Sequence, residues 1–290
     1  MFWTLDKVVR VMFWGGASAI MACVVSALGL VSCMAAFTAL WLLTAAIYLF
    51  RADMKESALG KSVIITGCDS GFGNALALHL DKLGFRVFAG CLKTGGTGAD
   101  YLRRKGSSKL HVIQMDITSQ KQLEKAAQEI KVLLPEGEGV WGLVNNAGVC
   151  TLGPVEWVSM EGFRKDPEVN VFGLVAATKT FLPLVRLAKG TSLFAVDADV
   201  DVQVKTMTAA LNQDLRKDYG EDYYKQVESF MKKFRKTGSS DISPVINSLT
   251  EALTQTHPQE RYCPMTAYRF FVVSVGTHLP EWLYDGLLRL

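Results

Sequence analysis

Hydrophobic and polar positions divide the chain into an apolar N-terminal stretch and a longer part in which short apolar runs alternate with amphipathic ones. Residues 12–50 contain no Asp, Glu, Lys or Arg. As a straight helix this stretch would be about 58 Å long, whereas the core of a bilayer needs only about 20 residues. The pattern predicts either two short membrane spans that turn near residues 29–32, or one span flanked by extra apolar chain.

Basic residues lie on both sides of the apolar stretch: Lys7 and Arg10 before it, and Arg51, Lys55 and Lys61 after it. Positive charge at both ends favours a hairpin whose two ends face the cytosol or the matrix. A cleaved signal peptide fits poorly, because the stretch is far longer than the apolar core of such a peptide. We therefore expect residues 1–61 to anchor the chain in membrane lipid.

From residue 62 onward, short apolar runs predict strands over 63–65, 85–90, 110–115 and 140–144. Helical patterns follow them, including 119–134 and a long helix within 163–187 that starts at or after Pro167. Apolar strands alternating with helices are typical of an α/β fold with a parallel, doubly wound sheet. We expect a cofactor-binding half over 62–190 and a substrate-side remainder over 191–290.

The segment T-G-C-D-S-G-F-G, residues 66–73, joins the first predicted strand to the first predicted helix. Glycines let the backbone turn tightly and approach a pyrophosphate, and the helix N-terminus supplies unpaired N–H groups. The segment therefore predicts a dinucleotide site, although an ordinary glycine-rich turn is the alternative. The candidate cofactor-binding residues here are Thr66, Gly67, Asp69, Ser70, Gly71, Phe72 and Gly73.

The spacing of Gly67, Gly71 and Gly73, together with N-N-A-G at 145–148, resembles the short-chain dehydrogenase/reductase superfamily. Further stretches, V-F-A-G-C-L, W-G-L-V-N-N-A-G and F-L-P-L-V-R-L-A-K-G, are similar to the branch that holds D-β-hydroxybutyrate dehydrogenase and membrane-bound steroid and retinol dehydrogenases. Matches near the C-terminus favour the hydroxybutyrate type, whereas the apolar stretch is more like the steroid members.

This resemblance implies a Rossmann-like fold and assigns roles to several residues. Asp116 would contact the adenine, and Asn145, Ala147 and Gly148 would line the nicotinamide side of the site. Asn170 would hold a water in the proton relay. The alternatives are that Asp116 caps the following helix and that Asn170 is a plain helix residue.

The residues at the end of the second strand bear on whether the chain binds NAD or NADP. A dinucleotide fold often carries an acidic residue there for the ribose hydroxyls, but this chain has Cys91, Leu92 and Lys93. Asp69 is an acidic substitute near the same ribose. We expect NAD, although Lys93 leaves NADP open.

The resemblance also predicts a catalytic Ser and a Tyr-x-x-x-Lys helix directly after Gly190, and the sequence lacks them. Thr191–Phe194 instead resembles a stretch well beyond that helix, so at least one βαβ unit of about 30 residues is missing. We expect an incomplete sheet that lacks about two strands, with a last strand near residues 261–263. The only Tyr-x-x-x-Lys is Tyr101 to Lys105, which we interpret as a solvated helix face.

The resemblance implies a membrane-anchored, NAD-dependent oxidoreductase for a secondary alcohol such as 3-hydroxybutyrate. The missing Ser, Tyr and Lys predict that this truncated form is inactive. The resemblance favours the mitochondrial inner membrane, with the endoplasmic reticulum membrane as the alternative. A steroid or retinol dehydrogenase relative, or a catalytically dead nucleotide- or partner-binding protein, are the other hypotheses. The partner is a small hydroxy or keto substrate, and a homo-oligomer is doubtful because the missing helix usually helps to form the interface.

Composition argues against several kinds of partner and site. The net charge is only +3, and no basic tract alternates with aromatic residues, which argues against nucleic acid as a partner. The six cysteines form no C-x-x-C pair, and the four histidines show no metal-ligand spacing. We expect reduced thiols and no metal site.

Overall fold

The computed structural model describes residues 5–29, 31–151, 153, 155–194, 222, 225–226, 229, 241–259 and 261–265. The chain forms two compact units. One consists of Met1–Ser57 with Asn247–Leu290, and the other of Ala58–Ile246. The predicted substrate-side remainder lies largely outside the described residues.

The first unit begins with two helices, α1 (Leu5–Ala27) and α2 (Cys33–Asp53), that form a hairpin. Gly29 has a φ of +71° in the link, which confirms the predicted turn. Trp41 Nε1 donates a hydrogen bond to the carbonyl oxygen of Val11 at 3.1 Å. The two helices therefore contact each other through specific polar atoms as well as through small buried residues, Ala22 and Ala36.

Large apolar side chains cover the outside of this hairpin, including Met12, Phe13, Ile20, Met34 and Phe50, each 68–73% exposed. Both helices contain segments long and apolar enough to cross a membrane, Arg10–Ala27 and Cys33–Arg51. Met160–Leu187 meets the same criterion. This third segment contributes Ala177, Phe181, Leu184 and Val185 to the buried core of the other unit, so a role in that core explains its apolar character.

The second unit is built on a parallel five-stranded sheet with the strand order β3-β2-β1-β4-β5. Its strands are β1 (Ser62–Ile65), β2 (Arg86–Cys91), β3 (Leu110–Gln114), β4 (Gly142–Asn145) and β5 (Thr191–Phe194). The connecting helices are α3 (Gly71–Lys82), α4 (Thr97–Lys105), α5 (Gln120–Leu133), α6 (Met160–Pro167) and α7 (Leu174–Leu187). This topology confirms the predicted Rossmann-like α/β fold.

The sheet is buried on both faces, which explains its continuous apolar strands. Ile64, Phe88 and Leu143 pack on one face with residues of α5 and α7. Alternate residues such as Val63 and Val87 are also fully buried. The central strands therefore hold their carboxyl ends, where the candidate site lies, in fixed positions.

The predicted start of the long helix at or after Pro167 is wrong. Helix α6 begins at Met160, and Ser159 Oγ accepts a hydrogen bond from the Gly162 amide at its N-terminus. The next six residues, Glu168–Gly173, form a π-helix before α7. Because proline has no N–H, the ordinary bond to the fourth preceding carbonyl is lost there, and we attribute the wider turn to that loss.

The structure corrects two details of the expected incomplete sheet. Thr191–Phe194 forms β5 and pairs in parallel with β4, although its sequence resembles a later stretch of the family. Pairing satisfies the edge of β4, which would otherwise expose its backbone groups. The expected strand near residues 261–263 is wrong, since these residues have irregular backbone. A further helix, α8, spans Ser243–Thr254.

Candidate functional site

The candidate site lies where β1 and β4 end side by side, and the chain leaves these strands by two loops. Residues 66–73 follow β1, and N-N-A-G at 145–148 completes and follows β4. The strand order reverses between β1 and β4, because the chain moves outward through β2 and β3 before it returns. In open α/β sheets such a switch point forms the crevice where ligands bind.

Two buried side chains tie these loops together. Thr66 Oγ1 accepts hydrogen bonds from the amides of Asn146 and Ala147 at 3.0 and 2.9 Å. Asn146 Nδ2 donates to the carbonyl oxygens of Thr66 and Gly67, both at 3.0 Å. We name this set of four bonds the Thr66–Asn146 clamp. Asn146 is not among the site residues predicted from the sequence, although its position inside N-N-A-G is a signal that could have identified it.

The glycine turn is too narrow for side chains at two positions. Gly67 has a φ of +71°, and a Cβ atom there would lie 2.7 Å from Ala147 Cα. A Cβ atom at Gly73 would lie 2.5 Å from both Asn146 Nδ2 and the Gly67 carbonyl oxygen. The glycines therefore allow β1, the first turn of α3 and the loop after β4 to approach each other closely.

The N-terminus of α3 faces the same crevice as a candidate anion site. Ser70 is the N-cap residue, and its own side chain makes no capping hydrogen bond. The first turn of α3, which starts with Gly71 and Phe72, also contains no acidic residue. Amides at such a terminus have no intrahelical acceptors and carry a positive dipole end. The residues present therefore fit the pyrophosphate of a dinucleotide.

Asp69 lies half-buried at the carboxyl end of β2. Its two carboxylate oxygens accept hydrogen bonds from the amides of Leu92 and Lys93 at 2.7 and 3.0 Å. The structure thus brings the negative charge to the end of β2, the place where dinucleotide folds often carry the ribose-binding acid. The carboxylate has further lone pairs for hydroxyl donors.

Gln114, the last residue of β3, holds the loop that follows β2 at residues 92–94. Its Oε1 atom accepts from both the amide and the hydroxyl of Thr94, at 3.3 and 3.1 Å. Its Nε2 atom donates to the carbonyl oxygen of Leu92 at 2.8 Å. The exposed Lys93 therefore lies on a loop whose backbone is held by Asp69 and Gln114.

Two buried thiols, Cys68 and Cys91, lie close enough to Asp69 for its charge to affect their pKa values. Burial, together with the Asp69 charge, raises the pKa of Cys91 to about 12. Burial also raises the pKa of the fully buried Cys68, with smaller effects from Cys91 and Asp69. Both groups stay protonated at neutral pH, and they serve here as small packing residues.

Asp116 follows β3 and bonds to its own turn. Its Oδ1 atom accepts from the Thr118 amide and hydroxyl, at 2.9 and 2.7 Å. Ser119 caps α5, because its Oγ accepts from the Gln122 amide at 3.4 Å. Asp116 is therefore not the N-cap residue, and its half-buried side chain lies at the carboxyl edge of the sheet.

The two predicted asparagines beside β4 have different partners. Asn145 Nδ2 donates to Thr178 Oγ1 on α7 at 3.2 Å. Asn170, in the π-helix, accepts from the Val149 amide at 2.9 Å and donates to the Val149 carbonyl oxygen at 2.6 Å. Asn170 thus holds the chain directly after Gly148, and its water-binding role stays a prediction.

Tyr101 and Lys105 lie on α4, between β2 and β3. Tyr101 is 43% exposed and Lys105 is exposed, which confirms the interpretation of this pair as a solvated helix face. The described residues contain no group of three or more His, Cys, Asp or Glu side chains that could hold a metal ion.

Three curated relatives, all from Mus musculus, are similar to this chain. Mitochondrial D-beta-hydroxybutyrate dehydrogenase is 35% identical, over 81% of this chain and 86% of the relative. Estradiol 17-beta-dehydrogenase 2 is 40% identical, over 68% of this chain and 50% of the relative. Retinol dehydrogenase 7 is 31% identical, over 88% of this chain and 95% of the relative.

The alignment with D-beta-hydroxybutyrate dehydrogenase has a length of 295 positions. It takes in 81% of this chain's 290 residues, about 235, so about 60 positions have no counterpart in this chain. Taken together, these positions outnumber the residues of a βαβ unit, which needs about 30 or more.

Among solved structures, 3-ketoacyl-(acyl-carrier-protein) reductase from Brucella melitensis, complexed with NADH, is 29% identical. The match covers 44% of this chain and 51% of that protein, with a TM-score of 0.40.

The sequence profile described as "short chain dehydrogenase" matches residues 61–213, more than half of the chain. This match includes the glycine turn, the N-N-A-G loop and the five strands of the sheet. The curated relatives are hydroxybutyrate, steroid and retinol dehydrogenases. The chain therefore belongs to the short-chain dehydrogenase/reductase superfamily, in the branch that contains these relatives.

Proposed function

We propose that this chain is a membrane-anchored short-chain dehydrogenase/reductase that binds NAD but does not catalyse hydride transfer at an appreciable rate. One combination of observations carries the proposal. Hydrogen bonds of Thr66 and Asp69 join the loops at the ends of β1, β2 and β4, whereas the sequence offers no Tyr-x-x-x-Lys except the exposed Tyr101–Lys105 pair. On this proposal the chain keeps cofactor binding but has lost catalysis.

The binding half of the proposal assigns each part of the candidate site a role. The first-turn amides of α3 receive the pyrophosphate, and the Asp69 carboxylate accepts bonds from the ribose hydroxyls. Asp116 lies toward the adenine, and Ala147 and Gly148 lie beside the nicotinamide, as the family resemblance implies. When bound, the nicotinamide ring would supply a hydride acceptor.

The proposed lack of turnover follows from the absence of a group that transfers the substrate's proton. Oxidation of a secondary alcohol requires a group that takes the hydroxyl proton as the hydride leaves, and in this superfamily a tyrosine does so with a lysine that lowers its pKa. Asn170, the remaining predicted relay residue, has an amide side chain that cannot replace this base. The absent helix also makes assembly into a homo-oligomer doubtful.

The substrate of the catalytic form is proposed from the relatives. The match to D-beta-hydroxybutyrate dehydrogenase over most of both chains favours 3-hydroxybutyrate and its 3-oxo counterpart. We infer that this chain is a truncated isoform of such an enzyme, and the roughly 60 unmatched positions support this. A steroid or retinol substrate is the second candidate, because estradiol 17-beta-dehydrogenase 2 has the higher identity.

NAD titration by calorimetry tests the binding half. The full chain in phospholipid should give a saturable heat, and Gly73→Ala should weaken affinity at least about tenfold, because the new methyl group displaces the turn or the start of α3. Gly95→Ala is the matched control, since nothing lies within 4 Å of a Cβ atom there. No heat from a wild-type chain that still unfolds cooperatively would refute NAD binding.

The choice between NAD and NADP is expected to depend on Asp69. Its charge repels a 2′-phosphate, so Asp69→Asn should lower the preference for NAD over NADP by about tenfold or more, roughly 1.4 kcal/mol. Lys93→Met should weaken NADP further without a matching loss of NAD. Competitive titration with both cofactors measures these ratios, and an unchanged ratio in Asp69→Asn would contradict the assignment.

Anchoring is proposed from the exposed apolar surface of the α1–α2 hairpin. The chain should stay with membranes after extraction at alkaline pH, whereas Leu42→Asp combined with Leu43→Asp should release part of it, because charges inside a bilayer are costly. Val132→Asp, which changes an exposed apolar residue of α5, should leave this behaviour unchanged. The name of the mouse relative includes the word mitochondrial. Together with the family resemblance, it favours the mitochondrial inner membrane as the proposed location, with the endoplasmic reticulum membrane as the alternative.

A further inference from the structure

Two cysteines lie next to each other at the closed end of the α1–α2 hairpin. Cys23 lies four residues before the end of α1, and Cys33 is the first residue of α2. Their Sγ atoms are 3.9 Å apart, and both side chains are exposed. We name these two residues the hairpin thiols.

The hairpin thiols differ from the other cysteines of the chain. Cys68 and Cys91 are buried in the sheet domain, and Cys150 and Cys263 are partly buried. Each of the hairpin thiols instead has a second thiol in contact. Both lie next to the link between α1 and α2, which a two-span hairpin places at the membrane surface. Ten positions separate them in the sequence, and the link between α1 and α2 brings them together.

We propose that the hairpin thiols are a redox-sensitive pair that closes to an intramolecular disulfide. The Sγ atoms are 3.9 Å apart, and a disulfide has an S–S distance of about 2.05 Å, so the sulfur atoms must approach by about 2 Å. The hairpin therefore places the two thiols next to each other before the bond forms.

The oxidant is a small-molecule disulfide of the glutathione type. One hairpin thiolate attacks this disulfide, forms a mixed disulfide and releases one reduced thiol. The second hairpin thiolate then attacks the protein sulfur of the mixed disulfide and releases the second reduced thiol. The protein pair is oxidised by two electrons and loses two protons, and the small disulfide is reduced to two thiols.

Closure would join the end of α1 covalently to the start of α2. The bond removes freedom from the link and prevents the two helix ends from separating. The predicted consequence is a hairpin whose closed end is rigid under oxidising conditions and flexible under reducing conditions. This inference does not depend on whether the chain binds NAD.

Counting thiols in the oxidised chain tests the proposal. The full-length protein in phospholipid is equilibrated with oxidised and reduced glutathione, quenched with acid, denatured and labelled with a maleimide polymer that shifts each thiol on a gel. We expect the number of labelled thiols to fall from six to four, and to return to six after reduction. Peptide mapping should find Cys23 joined to Cys33 within one chain.

Variants identify the pair. Cys263→Ala should still lose two thiols, whereas Cys23→Ser and Cys33→Ser should form no intramolecular disulfide. The proposal is overturned if the wild-type chain keeps six thiols, carries stable glutathione adducts or links to a second chain. It is equally overturned if Cys33→Ser still closes an internal disulfide.

Discussion

Replacing Asn146 with aspartate is expected to destabilise the sheet domain by about 3–5 kcal/mol at neutral pH, the cost typical of an uncompensated buried charge. The change keeps the shape of the side chain but turns the Nδ2 donor into an oxygen. That oxygen would face the carbonyl oxygens of Thr66 and Gly67 at about 3.0 Å. Asn146 is only 3% exposed, so water cannot relieve the repulsion. Thermal unfolding followed by circular dichroism measures the loss.

The same variant has a predicted pH dependence. Burial and the two carbonyl oxygens should raise the pKa of the introduced carboxyl above its unfolded value of about 3.9. Stability is therefore greatest below about pH 4 and falls as the pH rises through the native pKa. Gln128→Glu makes the same amide-to-acid change on the exposed face of α5 and should stay within about 0.5 kcal/mol of wild type. If Asn146→Asp were as stable as the wild-type chain at neutral pH, the stabilising role of the Thr66–Asn146 clamp would be contradicted.

The second large effect concerns turnover. With NAD and 3-hydroxybutyrate in phospholipid, this chain should form NADH at least about 10²–10⁴ times more slowly than mouse D-beta-hydroxybutyrate dehydrogenase, the range attributed to general acid–base catalysis. The proposal attributes this low rate to the missing proton acceptor and not to a loss of the cofactor site. The increase in NADH absorbance measures the rate.

Tyr101→Phe is the control for this experiment. Because Tyr101 lies exposed on α4, its removal should leave the residual rate unchanged. A rate that is close to that of the mouse relative and proportional to the amount of protein would disprove the proposed inactivity. If that rate disappeared in Tyr101→Phe, the interpretation of α4 as a solvated face would also be wrong.

Sequence alone predicted the fold class because the strands are buried on both faces. Runs such as Val63–Ile65 must be continuously apolar in a parallel sheet, so the pattern identifies them directly. The glycine turn was predictable for a similar reason, since Gly67 and Gly73 stand where a Cβ atom would collide with a neighbouring loop. Local patterns therefore suffice where one residue type is the only one that fits.

Features that depend on long-range partners were not predictable. The acceptors of Asn146 Nδ2 lie about 80 positions away in sequence, and no local pattern specifies them. The amide partners of Asp69 lie after the next strand. The pairing of β5 depends on the free edge of β4 rather than on the family stretch that Thr191–Phe194 resembles. The π-helix after Pro167 likewise reflects how the backbone compensates for a missing donor.

The most direct test of the central claim follows NADH fluorescence in one sample that contains the full chain in phospholipid and acetoacetate, the 3-oxo counterpart of 3-hydroxybutyrate. The claim that this chain keeps the cofactor site without a proton-transfer group predicts that fluorescence rises on binding and then stays constant. A decay whose rate is proportional to the amount of protein would show turnover and contradict the claim. The absence of any rise with a folded protein would contradict it from the binding side.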